Sequence, residues 1–103
     1  MTNLEYYREQ IQTLAKEKGW NDSENWIERC LFKECGELID AIEQKKSEED
    51  IAEEFADVMH YLLQIMNKNS PSVDLNVALI KKIISNRKTP KKTWEDGIGI
   101  VRR

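Results

Sequence analysis

The chain has 103 residues, 34% of them charged and 40% apolar, with a formal net charge of -3; this is the length of one domain and a globular, not a disordered, composition. An acidic surface excludes unaided attraction to nucleic acid or to an anionic membrane, and no apolar run approaches the roughly 18 residues of a membrane span. With no basic-then-apolar signal in Met1-Thr2-Asn3-Leu4-Glu5, a soluble, cytoplasmic protein is expected.

Only four Gly and two Pro occur, and no β-branched alternating run, so the chain reads as all-α. A first helix over about 3–18 carries Leu4, Tyr7, Ile11 and Leu14 at helical spacing and stops at Gly19. Trp20-Asn21-Asp22 reads as a turn, and Asp22 or Ser23 caps a second helix over about 24–45, with Ile27, Leu31, Leu38 and Ile42 on its apolar stripe. Trp26 falls on that stripe and is expected in the core. Cys30 and Cys35 lie five apart, on roughly opposed faces, which rules out a disulfide between them. With no CxxC and a single histidine, two half-buried thiols are expected and not a zinc site.

Ser47 opens a third helix, and Glu48, Glu49 and Asp50 fill its first turn, where negative charge complements the helix dipole. It extends to about residue 67. Its apolar set, Ile51, Phe55, Val58, Met59, Leu62, Leu63 and Met66, is too wide for one contact face, so it is read as the central helix or as packing on a second subunit too. After a turn containing Pro71, a fourth helix carries Val73, Val77, Ile80 and Ile84 and ends near Asn86. The tail 88–103 reads as loop. The expected architecture is one domain, 1–103, with a helical core over about 3–87. It is a four-helix bundle built on a central antiparallel hairpin and completed as a homodimer or dimer of dimers.

Glu34 and Glu37 are three apart, as are Glu54 and Asp57, so each pair shares a helix face. The two pairs are symmetric about the midpoint of Lys45 and Lys46, next to the break that Ser47 marks independently. In an antiparallel hairpin Glu34 then sits level with Asp57, and Glu37 with Glu54. These acids interrupt apolar sequence: Leu31, Cys35 and Leu38 flank the first pair, Phe55, Ala56 and Val58 the second. Four unpaired carboxylates, crowded and partly desolvated, cost several kcal/mol. A hard divalent cation removes that penalty, and oxygen ligands suit Mg²⁺ or Mn²⁺. A solvated acidic rim balanced by lysines is the plainer alternative. The level register and the apolar neighbours favour the metal.

Lys33-Glu34-Cys35-Gly36-Glu37-Leu38, followed by Glu54-Phe55-Ala56-Asp57-Val58, resembles the MazG-like, all-α nucleoside triphosphate pyrophosphohydrolases, whose pattern is ExxE, a hairpin, then ExxD. The motif covers about a quarter of the chain. The resemblance implies that Glu34, Glu37, Glu54 and Asp57 hold one or more Mg²⁺ ions, and that water attacks the α-phosphorus of a nucleoside triphosphate. The products are the monophosphate and pyrophosphate, in the service of nucleotide-pool cleansing. Glu37 and Glu34 take the catalytic parts, Glu37 as acceptor of the water's proton. Lys33 stands where the family often has a further acid. About 100° round the helix from Glu34, it is expected to turn away from the ions. Lys82-Ile83-Ile84-Ser85-Asn86-Arg87 is similar to the family's basic ending, with a shortened spacing, and implies phosphate and sugar contacts from Lys82, Asn86 and Arg87. Dipole balance at a helix end explains Lys81, Lys82 and Arg87 nearly as well. The family also implies an aromatic beside the nucleotide at Tyr61 and a base contact at Trp20.

Three other readings stay open. Asp57-Val58-Met59-His60 spells D-x-x-H, which a symmetric dimer could turn into a di-iron site. The wide apolar face of the third helix fits a non-enzymatic oligomerisation module. The phosphoribosyl-ATP pyrophosphohydrolase of histidine synthesis has similar helices and acids.

Overall fold

The computed structural model describes residues 3–20 and 26–89. Among these are four helices and no strand: α1 (Leu4–Lys18), α2 (Trp26–Glu43), α3 (Glu48–Asn69) and α4 (Leu75–Lys88). The caps of the second helix expected at Asp22 or Ser23, and all but the first residues of the tail, lie outside the described residues. The chain divides into two compact units, Met1–Val73 with the first three helices and Asp74–Arg103 with α4. No helix among the described residues is long and apolar enough to cross a membrane.

Local chemistry sets the boundaries of the first unit. The Asn3 side chain accepts from the Tyr6 N–H at 3.0 Å and starts α1. Gly19 ends it at φ 63, a left-handed conformation that glycine adopts without Cβ strain, and the Trp20 N–H turns back to the Ala15 carbonyl at 3.0 Å. Ser47 Oγ accepts from the Asp50 N–H at 3.1 Å and starts α3 as expected. α2 stops at Glu43, two residues before the expected end. Lys45 takes a left-handed φ of 55, and the Lys46 N–H closes on the Ala41 carbonyl at 3.0 Å, so the helix is terminated by a lysine in a place that favours glycine.

α3 packs against both α2 and α1, which makes it the middle element of this unit. Among the described residues of this unit the buried apolar side chains are Ile27, Ala41, Val58 and Leu63, with Ile27 fully enclosed. Phe55, Ile39, Ile42 and Phe32 remain exposed, Phe32 at 84%. Trp26 is exposed as well, contrary to its expected place in the core, because the α2 stripe that turns inward centres on Ile27.

The buried charge of the unit is Arg8, at 4% exposure. Its guanidinium closes the far end of α3. Nη2 donates to the carbonyls of Met66 at 3.1 Å and Ser70 at 2.8 Å; Nη1 donates to the Val73 carbonyl at 2.8 Å and to Glu5 at 3.2 Å. Nε donates to Asn67 Oδ1 at 3.0 Å, and Asn67 Nδ2 returns a bond to the Arg8 carbonyl at 2.9 Å. The last carbonyls of a helix have no partner within it. Arg8 reaches Met66 among them, beside the Ser70 N–H at 2.8 Å, and its other two carbonyl partners, Ser70 and Val73, lie in the turn that follows; α3 itself runs on to Asn69, beyond the expected residue 67.

In the second unit, Asp74 accepts from the Val77 N–H at 3.0 Å, so α4 starts two residues after the expected Val73. It continues to Lys88, past the expected end at Asn86, and Thr89 closes it with its N–H on the Asn86 carbonyl. Val77, Leu79, Ile80, Ile83 and Ile84 are exposed.

Arg8→Ala leaves the Val73 carbonyl and Asn67 Oδ1 without the donor they have here, and leaves the Met66 and Ser70 carbonyls with their backbone donors alone. A loss of about 2–4 kcal/mol in urea unfolding is expected, with Arg8→Lys recovering only part of it because an ammonium lacks the planar fork. A change below about 0.5 kcal/mol for Arg8→Ala would remove the guanidinium from this role.

Candidate metal centre

α2 carries Glu34 and Glu37 one turn apart, and α3 carries Glu54 and Asp57 in the same way. Packing of the two helices brings one carboxylate oxygen each of Glu34, Glu54 and Asp57 within 4.8 Å of one another. Glu37 stands outside that group of three but within hydrogen-bonding reach of Glu34. Its Oε1 is also 4.0 Å from Lys33 Nζ. Lys33 thus meets Glu37, the acid outside the group of three. Its long chain folds down one turn of the helix, although both ends of the pair are well exposed and such a contact contributes little.

The electrostatics follow from the crowding. Glu34 is pushed up from the ordinary 4.5 to about 7, first by the Glu37 carboxyl beside it, then by desolvation and by the charges of Glu37 and Asp57, with Lys33 opposing. Glu54 is also pushed up, by desolvation first and then by Glu37, Asp57 and Glu53, with Lys46 opposing. Glu34 Oε2 is buried and meets no hydrogen-bond donor. A buried carboxylate oxygen without a donor, facing two further carboxylates, is unfavourable unless a cation joins it. Three converging oxygen donors with no thiolate or imidazole among them fit a hard divalent ion such as Mg²⁺ or Mn²⁺. Beyond Glu37 and Glu54 lies a cavity of about 410 Å³ whose walls include Asp40, Lys46, Asp50 and Glu53.

Tyr61 follows Asp57 by one turn. It is half-buried, and burial first, then Cys30, Glu34 and Asp57, push its phenol up, so it stands close to the acids. Cys30 and Cys35 are half-buried free thiols. His60 is not part of the carboxylate group. Its ring is edge-on to Trp20 at 5.4 Å and to Tyr61 at 5.6 Å, and burial pulls its pKa down against the charge of Asp57. The D-x-x-H reading thus has its aspartate in the cluster and its histidine among aromatic rings. Trp20 is exposed. Lys82, Asn86 and Arg87 are exposed on α4, in the second unit.

Sequence reasoning did not single out Gln64, which is buried with neither side-chain Oε1 nor Nε2 bonded. The signal was present: a lone amide within Leu62-Leu63-Gln64-Ile65-Met66.

Residues 22–90, about two-thirds of the chain, match the family described as the MazG nucleotide pyrophosphohydrolase domain. No curated protein and no solved structure matches the chain.

A raised carboxyl pKa makes the folded, metal-free protein hold the Glu34 proton more tightly than the unfolded chain does. Its contribution to stability is full below 4.5 and is lost as pH rises through about 7. Thermal unfolding without metal is expected at a lower temperature near pH 8 than near pH 5.5, with millimolar Mg²⁺ raising it most at the higher pH, where no proton has to be displaced. Glu34→Gln is expected to flatten the metal-free pH dependence. A wild-type profile that neither falls with pH nor responds to Mg²⁺ would contradict the crowding described.

Proposed function

The chain belongs to the family of MazG nucleotide pyrophosphohydrolase domains, and from that premise we propose that it is a Mg²⁺-dependent enzyme converting (deoxy)nucleoside triphosphates to monophosphates and pyrophosphate. The family implies nucleotide pyrophosphohydrolysis in general. The triphosphate substrate, the choice of Mg²⁺ with Mn²⁺ as substitute, and the residue roles are this reading's own. The observation that carries it is the convergence of Glu34, Glu54 and Asp57 from two helices around a buried, donorless Glu34 Oε2.

Glu34, Glu54 and Asp57 would hold the ion, with Glu37 completing the set at its edge. A divalent ion so held neutralises phosphate charge and lowers the pKa of water. Glu37 lies against Glu34 and lines the adjoining cavity, where substrate and water have access. Its carboxylate accepts the proton of the water that attacks the α-phosphorus. The bond from that phosphorus to the bridging oxygen breaks, and pyrophosphate leaves with the electron pair. Glu34 positions Glu37 through their contact. Tyr61 borders the nucleotide, and Trp20 offers an exposed indole for a base. Lys82, Asn86 and Arg87 take the phosphate and sugar; guanidinium and ammonium groups suit phosphate oxygens.

The protein acts in the cytoplasm on free nucleotides, as a pool-cleansing enzyme and not on nucleic acid or membrane. On this reading the chain, 1–103, is a single MazG-like helical domain built on the α2–α3 hairpin, and it assembles as a homodimer or dimer of dimers. Support for assembly comes from the apolar side chains left in water: Ile39, Ile42 and Phe55 in one unit, Val77, Ile80 and Ile84 in the other.

Incubation with a panel of nucleoside triphosphates and Mg²⁺ is expected to release pyrophosphate. Glu54→Gln and Asp57→Asn are each expected to lower kcat/KM by roughly 100-fold or more at unchanged helical content. Orthophosphate as sole product would contradict attack at the α-phosphorus. Light scattering is expected to give a mass of at least two chains; a stable monomer at micromolar concentration would remove the assembly.

A further inference from the structure

Between the end of α2 and the start of α3 the acids of the metal centre open into the cavity of about 410 Å³. Glu37 and Glu54 border it on the side of the cluster, and Asp40, Asp50 and Glu53 stand further round. Among the residues that line it, Lys46, from the connection between the two helices, carries the positive charge. We propose that this cavity receives the β- and γ-phosphates of the substrate, which leave as pyrophosphate, and that the Lys46 ammonium holds them there. The inference rests on the nucleotide reading above and adds to it the direction in which the substrate lies along the hairpin.

The direction follows from the order of residues on α3. Asp50, Glu54, Asp57 and Tyr61 succeed one another at helical spacing and form one stripe. Along it the cavity comes first, then the carboxylate group, then the phenol. A triphosphate attacked at its α-phosphorus has that atom at the cation site. The nucleoside then lies to one side and the leaving phosphates to the other, because attacking and leaving oxygens stand in line. At the Tyr61 end the rings of His60 and Tyr61 meet edge-on at 5.6 Å beside the half-buried thiol of Cys30. Rings and a thiol suit a sugar and a base. The hairpin end has the open volume and an ammonium, which suit phosphate.

The connection fixes where Lys46 begins. Lys45 takes a left-handed φ of 55, a conformation that disfavours any side chain, and the turn so made sets the Lys46 N–H on the Ala41 carbonyl at 3.0 Å. Ala41 is itself a wall of the cavity, and the Ser47 cap holds the chain on the other side. The backbone of Lys46 is thus pinned at the edge of the cavity, while its side chain stays exposed.

Two lysines act on the carboxylates, Lys33 on Glu34 and Lys46 on Glu54. Lys33 has a partner in Glu37 at 4.0 Å. Lys46 has no ion pair among the described residues, although five carboxylates line the same cavity. Its ammonium is a compact charge with three donors, available to phosphate oxygens. The acids around it turn away a bare polyanion. The cavity therefore takes phosphates that arrive with a divalent ion, whose ligands are shared among carboxylates, waters and phosphate oxygens. Lys46 donates hydrogen bonds to non-bridging oxygens and keeps its protons.

The test is calorimetric titration of the full chain, in Mg²⁺, with pyrophosphate and separately with adenosine monophosphate. Lys46→Met is expected to weaken pyrophosphate by about tenfold and to leave the monophosphate within about twofold, at an unchanged melting temperature because the side chain is exposed. Lys46→Arg is expected to restore most of the affinity, and pyrophosphate without a divalent ion is expected not to bind. Wild-type hydrolysis of triphosphates without pyrophosphate binding, or with binding that Lys46→Met leaves unmoved, overturns the subsite and leaves the enzyme standing. Equal losses for pyrophosphate and monophosphate overturn the direction, and the subsite with it. Pyrophosphate binding that depends on Lys46, with no hydrolysis of any triphosphate, supports the subsite and overturns the enzymatic reading. Neither binding nor hydrolysis overturns both.

Discussion

Like charges held closer than water would leave them are the constraint around which the first unit is arranged. α2 and α3 bring Glu34, Glu54 and Asp57 to within 4.8 Å of one another, and Glu37 adds a fourth carboxyl against Glu34. Nothing in the helices themselves favours this. The packing of Ile27, Ala41 and Val58 has to hold the two helices together against it, and Glu34 answers by holding its proton to about pH 7. Such an arrangement is intelligible as a socket: a cation turns each repulsive pair into a shared attraction, and the binding free energy is larger for the crowding it relieves.

A socket of this kind needs its helices fixed at both ends. At one end the short connection between α2 and α3 is closed by Lys45 in a left-handed conformation and by the Ser47 cap. At the other, Arg8 of α1 gathers the Met66 carbonyl of the last turn of α3 and the Ser70 and Val73 carbonyls of the segment that follows it. The same α1, ended by Gly19, delivers Trp20 to the α3 stripe that carries His60 and Gln64.

Much of this was legible in the chain. Sparse Gly and Pro and the 3.6-residue periodicity marked four helices; the Gly19 stop and the Ser47 cap were read directly. The spacing of the acids points to one shared site, where Glu34, Glu54 and Asp57 converge and Glu37 stands outside the group, and the motif around Gly36-Glu37-Leu38 points to the family that the match over residues 22–90 shows. What escaped was long-range or side-chain specific. Arg8 sits among Leu4, Tyr7 and Ile11 and reads as a polar interruption; its partners are some sixty residues away, at positions no local pattern indicates. Gln64 is likewise one amide in an apolar run. Helical angle alone does not show the reach of the four-carbon Lys33 chain to Glu37. Periodicity points Trp26 to the core, while burial follows from which neighbours α2 meets.

The central claim, that these carboxylates form one cation site, is tested most directly by anomalous diffraction from crystals soaked in Mn²⁺. The account predicts a manganese peak roughly 2.0–2.3 Å from oxygens of Glu34, Glu54 and Asp57, lost in Asp57→Asn crystals treated in the same way. Manganese bound elsewhere, or no ordered peak between α2 and α3 at saturating Mn²⁺, would contradict it.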